Sequence, residues 1–431
     1  MKRLVCVLAA LCLLLTACGA PAGVAPTPTP TSAATPALTP APTPMPTPSP
    51  TSAPTPAPVA RELEITLSGI DRAGALLDDK FLTACRLEAD AAITVEADEE
   101  IGALYLVWYD RPQPCAVETP GGSVSAGEKG FMHEYIPLDA PAPRVTLRLH
   151  AEKNVRLSEI RAYSPGVPDD AVQVWREPCE QADLLVVPTH ADDEFVFFGG
   201  VLPLYAAERG YTVQVVYLID HYGSLRERCD ELLNALWYAG VRHYPVIHDA
   251  PDRILDSVGE AEAFYGASDF LDFEVEMLRR FKPLVVLTHD ENGEYRQSNH
   301  MLTARSMELA VSLAADESYL PETAARYGVW DTPKLYLHLY GPAGERTVLD
   351  FETPLSAFDG LTAFEAAERA FALHRSQQEW HFRVYEAGHP YDCHSYGLFR
   401  SLVGPDEARD DLMEHIDPAA WREQPSTTPD P

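Results

Sequence analysis

The sequence predicts two globular parts: an all-β sandwich over residues 61–168, then an α/β domain over residues 171–416. The second is read as Rossmann-like, with a mostly parallel sheet and helices on both faces. Three observations predict this. Short apolar-polar alternations separated by Gly, Pro and Asp fill the first stretch. Apolar runs alternating with helical stretches fill the second. Two of those apolar runs end in dense polar loops, where parallel sheets carry their ligand sites.

Residues 1–17 read as a lipoprotein signal peptide. Lys2 and Arg3 precede the apolar run Leu4 to Leu15, which is too short to span a bilayer comfortably. Leu15-Thr16-Ala17-Cys18 resembles a bacterial lipobox, so Cys18 is expected to carry lipid. Residues 18–60 read as a disordered Pro/Thr-rich linker, without charge from Gly19 to Ala60. At ~3.1 Å per residue in polyproline II it reaches on the order of 100 Å. The expected location is therefore the extracellular face of the cell membrane. Residues 417–431 read as a flexible tail.

The sandwich strands are read at Leu63–Leu67, Ala92–Val95, Ala103–Trp108, Arg144–Leu149 and Val155–Tyr163. The last of these resembles the closing strand of discoidin-like, galactose-binding-type sandwiches, which makes this part a candidate carbohydrate-binding module. Trp108 and Tyr109 either stack on a sugar ring or pack in the core. In the α/β part the apolar runs are Leu184–Val187, Val213–Ile219, Tyr244–Ile247, Leu284–Leu287 and Leu335–Leu339. Helices are expected at Arg226–Tyr238 and Glu274–Phe281, with another starting near Ser298.

A formal net charge of −32 argues against nucleic acid or an anionic membrane surface as a partner. Of eight cysteines, Cys6 and Cys12 leave with the signal and Cys18 takes lipid. Cys85, Cys115, Cys179, Cys229 and Cys393 remain. Cys85 and Cys115 share the β part and are a candidate pair. No Cys-x-x-Cys occurs, so a cysteine-based zinc site is not expected. Neither a Gly-x-Gly-x-x-Gly nor a P-loop pattern occurs, so no nucleotide cofactor is indicated.

The chemistry sits at two strand ends. Val187-Pro188-Thr189-His190-Ala191-Asp192-Asp193-Glu194 closes the run Leu184–Val187. One histidine and three successive acids at a strand end call for a cation. His190 and Asp193 can converge on a metal, leaving Asp192 to work on the attacking water. The second cluster, Thr288 to His300, follows Leu284–Leu287 and ends where a helix begins. His300 is the candidate third ligand. Two histidines and a carboxylate leave an open position on zinc, although such a set accepts other divalent ions. His389, Asp392 and His394 form a further polar patch, read as a pocket rim rather than a second metal site.

His190-Ala191-Asp192-Asp193-Glu194 resembles the His-Pro-Asp-Asp-Glu signature of the LmbE-like, PIG-L deacetylase family. Gly293-Glu294-Tyr295 with His300 resembles its second motif. Arg228 to Leu232 and His374-Arg375-Ser376-Gln377 resemble two more, in the same order. The resemblance spans about Ala182 to Gly404. It implies zinc-dependent removal of an N-acyl group from an amino sugar, with His190, Asp193 and His300 on Zn2+. It also implies Asp192 as general base, Tyr295 as a carbonyl-polarising group, and Arg228 and Asp252 as contacts to sugar hydroxyls. Three positions depart from the family: Ala191 stands for Pro, Gln297 for His and Asn299 for Asp. Gln297 donates a hydrogen bond but not a proton. The function expected is deacetylation of an extracellular N-acetylated glycan or glycoconjugate. The alternatives are a catalytically impaired glycan-binding surface lipoprotein, and an amidase acting on a small conjugate.

Overall fold

The computed structural model describes residues 58–422. The signal peptide, Cys18, nearly all of the linker and residues 423–431 of the tail lie outside the described residues. Within the expected tail, Pro418–Arg422 is helical, and Trp421 packs against the core. Among the described residues no helix is long and apolar enough to cross a membrane.

Between Glu62 and Tyr163 the chain forms one eight-stranded antiparallel sheet. Its spine is a pair of long strands, Ala92–Trp108 and His133–Leu149. The first joins two runs that the sequence reads as separate. The second incorporates Pro137, Pro141 and Pro143, which lie outside the strands read from the sequence. Proline cannot donate to a ladder, and the register shifts there, between the pairs Glu96–Arg144 and Ala103–Pro137. The hairpin Cys115–Thr119 and Gly122–Ala126 extends this sheet and was not expected.

Side chains alternate along Ala92–Trp108 as the pleat requires. Leu104, Leu106 and Trp108 point into the β part's own core, whereas Ala103, Tyr105 and Val107 join the core shared with the α/β part. Trp108 is fully buried and is therefore not a sugar-stacking surface. Trp108→Ala is expected to cost about 3–5 kcal/mol, measurable by denaturant unfolding. Tyr109 stacks on Phe81 at 5.1 Å, with the Arg156 guanidinium 4.2 Å from its ring. The proposed Cys85–Cys115 pairing is not made: both thiols are free. Their strands are separated by three others in the ladder, which carries the two backbones away from each other.

The second sheet has seven strands in the order Val246–Pro251, Val213–Asp220, Leu184–Val187, Val285–Thr288, Lys334–His338, Ser395–Ser401, Thr347–Val348. The first five are parallel; Ser395–Ser401 pairs antiparallel with Lys334–His338, and Thr347–Val348 pairs antiparallel with Ser395–Ser401 at the edge. Leu184–Val187 is apolar throughout because it is buried on both faces. Leu184 and Val186 pack with Leu232 and Leu236 of helix Glu227–Tyr238. Leu185 and Val187 pack on the other face with helices Asp269–Phe281 and Ser298–Leu313.

Strand order fixes where the site falls. From Leu184–Val187 the chain moves outward through two strands, then returns to place Val285–Thr288 on the opposite side of Leu184–Val187. This is the switch point of the sheet, where two loops diverge and leave a crevice. Val187 lies level with Thr288, so both polar loops leave the sheet at the same height.

Candidate metal centre and active site

The crevice brings His190, Asp193 and His300 together. His190 Nδ1 lies 3.2 Å from Asp193 Oδ2 and 3.1 Å from His300 Nε2, and His300 Nε2 lies 3.3 Å from Asp193 Oδ2. A tetrahedral ion ~2.0–2.1 Å from each ligand sets separations of about 3.3 Å. The three donor atoms therefore fit one small divalent cation.

Electrostatics points the same way. Although burial works against the charged ring, the Asp193 and Glu294 carboxylates push His300 up to about 10. Burial lowers His190. Asp193, despite burial, is held well below the usual carboxylate range by His300, His190 and His289. The pocket favours one positive charge at this point.

Glu294 organises the histidines from beneath. Its carboxylate is fully buried. Oε2 accepts from His289 Nδ1 at 2.8 Å and from His300 Nδ1 at 2.9 Å. Oε1 accepts from His338 Nδ1 at 2.6 Å and from the Asp290 N–H at 3.2 Å. Holding the proton on Nδ1 of His300 leaves the Nε2 lone pair for a metal. Glu294→Gln is expected to weaken metal affinity about 10–100-fold, read by chelator competition. The sequence motif contains Glu294, but its role, and those of His289 and His338, depend on contacts that spacing does not reveal.

Asp192 adopts φ 118°, a left-handed backbone conformation rarely held by residues other than glycine. The octet's turn is braced to hold it. Glu194 Oε2 accepts the Asp192 N–H at 2.8 Å, and Glu194 Oε1 accepts from His374 Nε2 at 2.9 Å. Ser376 donates to Glu231 from both its N–H and its hydroxyl, at 2.8 and 2.6 Å. The His374-to-Gln377 motif is thus a strut between the octet's turn and helix Glu227–Tyr238.

Arg228 lies on Asp192. Its guanidinium donates to Asp192 Oδ1 at 3.0 Å and to the Ala191 carbonyl, and the side chain is buried. These contacts hold the Asp192 carboxylate in place. Burial pushes Asp192 up to about 7, aided by Asp193 and Glu194 and opposed by Arg228 and His374. A carboxyl group near neutrality can both take and return a proton.

Asp252 also sits closer to the metal ligands than its expected role requires. It is 3.7 Å from His190 Nε2 and 3.4 Å from His221 Nδ1. Burial raises it, but these two rings bring it down to about 2. His221, buried behind Asp252, is a member of the site that sequence reasoning did not single out.

Gln297 begins helix Ser298–Leu313. Its Oε1 accepts from the N–H groups of Asn299 and His300, the latter at 2.9 Å. The oxygen is committed to the helix, so the amide nitrogen must face the crevice, 3.5 Å from His190 Nε2. Tyr295, at φ 57°, stands at the rim and is 40% exposed. Its hydroxyl meets that of Tyr385, and its ring lies 4.4 Å from Tyr391. Asp392 and His394 are held within their own loop, His394 Nδ1 lying 2.9 Å from Asp392 Oδ1, while His389 stacks on Tyr385 at 4.2 Å. This patch borders the site rather than ligating in it.

The α/β part is similar to the PIG-L type over part of its length. Residues 185–311 match the family model described as PIG-L: GlcNAc-PI de-N-acetylase. The 1D-myo-inositol 2-acetamido-2-deoxy-alpha-D-glucopyranoside deacetylase 1 of Catenulispora acidiphila is 30% identical over 192 residues, covering 37% of this chain and 56% of that protein. The corresponding deacetylase 2 of Saccharopolyspora erythraea is 33% identical over 179 residues, covering 35% and 63%. The chain thus spans about three-fifths of the length of these curated relatives. Among solved structures, an N,N'-diacetylchitobiose deacetylase from Pyrococcus horikoshii is 18% identical with a TM-score of 0.35, covering 46% of this chain and 72% of that one.

Proposed function

We propose that this protein is a zinc-dependent hydrolase that removes an N-acetyl or other N-acyl group from an amino-sugar glycan or glycoconjugate. The observation that carries the reading is the three-atom donor set of His190, Asp193 and His300 with the Asp192 carboxyl beside it. Similarity to named deacetylases of N-acetylated sugars supports it. Zinc held there would polarise the amide carbonyl and acidify the attacking water.

The chain's own residues supply the rest. Asp192, fixed by Arg228, accepts a proton from the attacking water and returns it to the departing amine. The Gln297 amide N–H faces the developing oxyanion and stabilises it by hydrogen bonding. Tyr295 closes the rim over the acyl group. Asp252 acts through His190, and its carboxylate edge is also open to a sugar hydroxyl. We further read residues 61–168 as a discoidin-like sandwich, and the site of action as outside the cell, with lipid on Cys18 as the anchor. The composition of residues 1–60 supports that placement.

The test is release of free amine from N-acetylglucosaminyl substrates by the zinc-loaded chain, with chelation and zinc restoration as the control. Turnover lost to chelator and regained with zinc supports the reading. Saccharide binding without amine release would instead favour the impaired, glycan-binding alternative.

A further inference from the structure

A second cavity lies away from the metal centre, where the β part meets the α/β part. It encloses about 210 Å³, many times the ~10–15 Å³ that one water centre needs. One wall comes from the antiparallel sheet, with Tyr105, Glu159 and Arg161. The facing wall comes from helix Glu227–Tyr238, with Asp230 and Asn234, and from Arg375.

Two features of this wall lack an explanation within the protein. Glu159 is 3% exposed, and its Oε1 accepts the Lys80 N–H at 2.8 Å, but its Oε2 has no partner. Arg161 Nε is likewise buried without a hydrogen-bond acceptor, the Glu62 carboxylate standing 4.0 Å away, although its outer nitrogen reaches Asp79 at 2.9 Å. An unmade bond at a buried polar atom costs about 1–3 kcal/mol, so such atoms are normally met by something. Their neighbours are already satisfied. His133 bridges Tyr105 Oη at 2.7 Å and Asp230 Oδ1 at 2.9 Å, and Arg375 lies 3.5 Å from Asp230.

We propose that this junction cavity binds one neutral, hydroxyl-rich ring, a single pyranose unit of a saccharide. The wall carries both acids and guanidinium groups, so neither an anion nor a cation is favoured. A hydroxyl both donates and accepts, which suits the open oxygen of Glu159 and the open N–H of Arg161 together. The exposed lining is mostly polar, with Phe81, Tyr105 and Tyr163 packed into the core behind it. Burial pushes Glu159 up to about 7, which lets it serve as donor or acceptor to a hydroxyl. The site is separate from the metal centre, yet it shares a helix with it: Arg228 holds Asp192, while Asp230 and Asn234 line the cavity.

The experiment is calorimetric titration of the full chain with N-acetylglucosamine, glucose and galactose. It is repeated on His300→Ala, which disables the metal centre, and on Glu159→Gln and Asn234→Leu, which alter opposite walls. At least one sugar is expected to bind the full chain and His300→Ala alike. It should bind about tenfold or more weakly to both cavity variants, and should raise the melting temperature of the parent but not of those variants. Absence of binding with all three sugars overturns the proposal. So does binding lost in His300→Ala but kept in Glu159→Gln and Asn234→Leu, which would assign the sugar to the metal centre. Failure of amine release with junction binding intact would count against the hydrolase reading alone.

Discussion

His300→Ala is expected to empty the metal centre: a chain that carries about one zinc ion should retain almost none, and amine release should fall to background. The reason is geometric. Three donor atoms lie within 3.1–3.3 Å of one another, and removing one leaves two where a catalytic zinc site uses three protein ligands. Removing His300 also leaves Glu294 with one histidine fewer at Oε2 and Asp193 without its nearest cationic partner. Metal analysis after dialysis checks the first effect. Full metal occupancy in the variant would show that His300 is not a ligand.

Asp192→Asn is expected to separate chemistry from metal binding. Asparagine keeps the shape and the Arg228 contact through its carbonyl oxygen, but it cannot accept the proton of an attacking water. A turnover loss of about 10²–10⁴-fold is expected, with zinc content unchanged. The readout is kcat beside metal content in the same preparation. Unaltered kcat would remove Asp192 from the general-base role. Loss of metal together with activity would instead make Asp192 part of the centre's scaffold. The strained φ of 118° makes a parallel comparison useful, because Asp192→Gly relaxes the backbone while deleting the same carboxyl group.

The site was legible in the sequence where its residues are contiguous. The His190-to-Glu194 run and the Thr288-to-His300 run each follow an apolar strand, so the parallel register that brings them level could be anticipated. What the sequence does not carry is the pairing of distant groups. His338 reaches Glu294 across 44 residues, and His374 reaches Glu194 across 180. The contact of Arg228 with Asp192 spans 36 residues and depends on how its helix packs beside the first polar loop. Gln297 was recognised as a departure, but its use as a helix cap is visible only in the backbone. In the β part, three prolines concealed a long strand, because a bent ladder accommodates residues that a straight one rejects.

The five thiols of the described residues have a consequence for handling. All five are buried and unbridged; burial raises Cys393 well above the usual thiol value and pushes Cys115, Cys179 and Cys229 up to about 12. At neutral pH a thiol at that value is ionised on the order of one part in 10⁵, and the ionised form is the one that reacts. Among the described residues, oxidant therefore meets no reactive thiol and reductant no bridge to break. Labelling of these five thiols would count unfolded molecules rather than reactive sites.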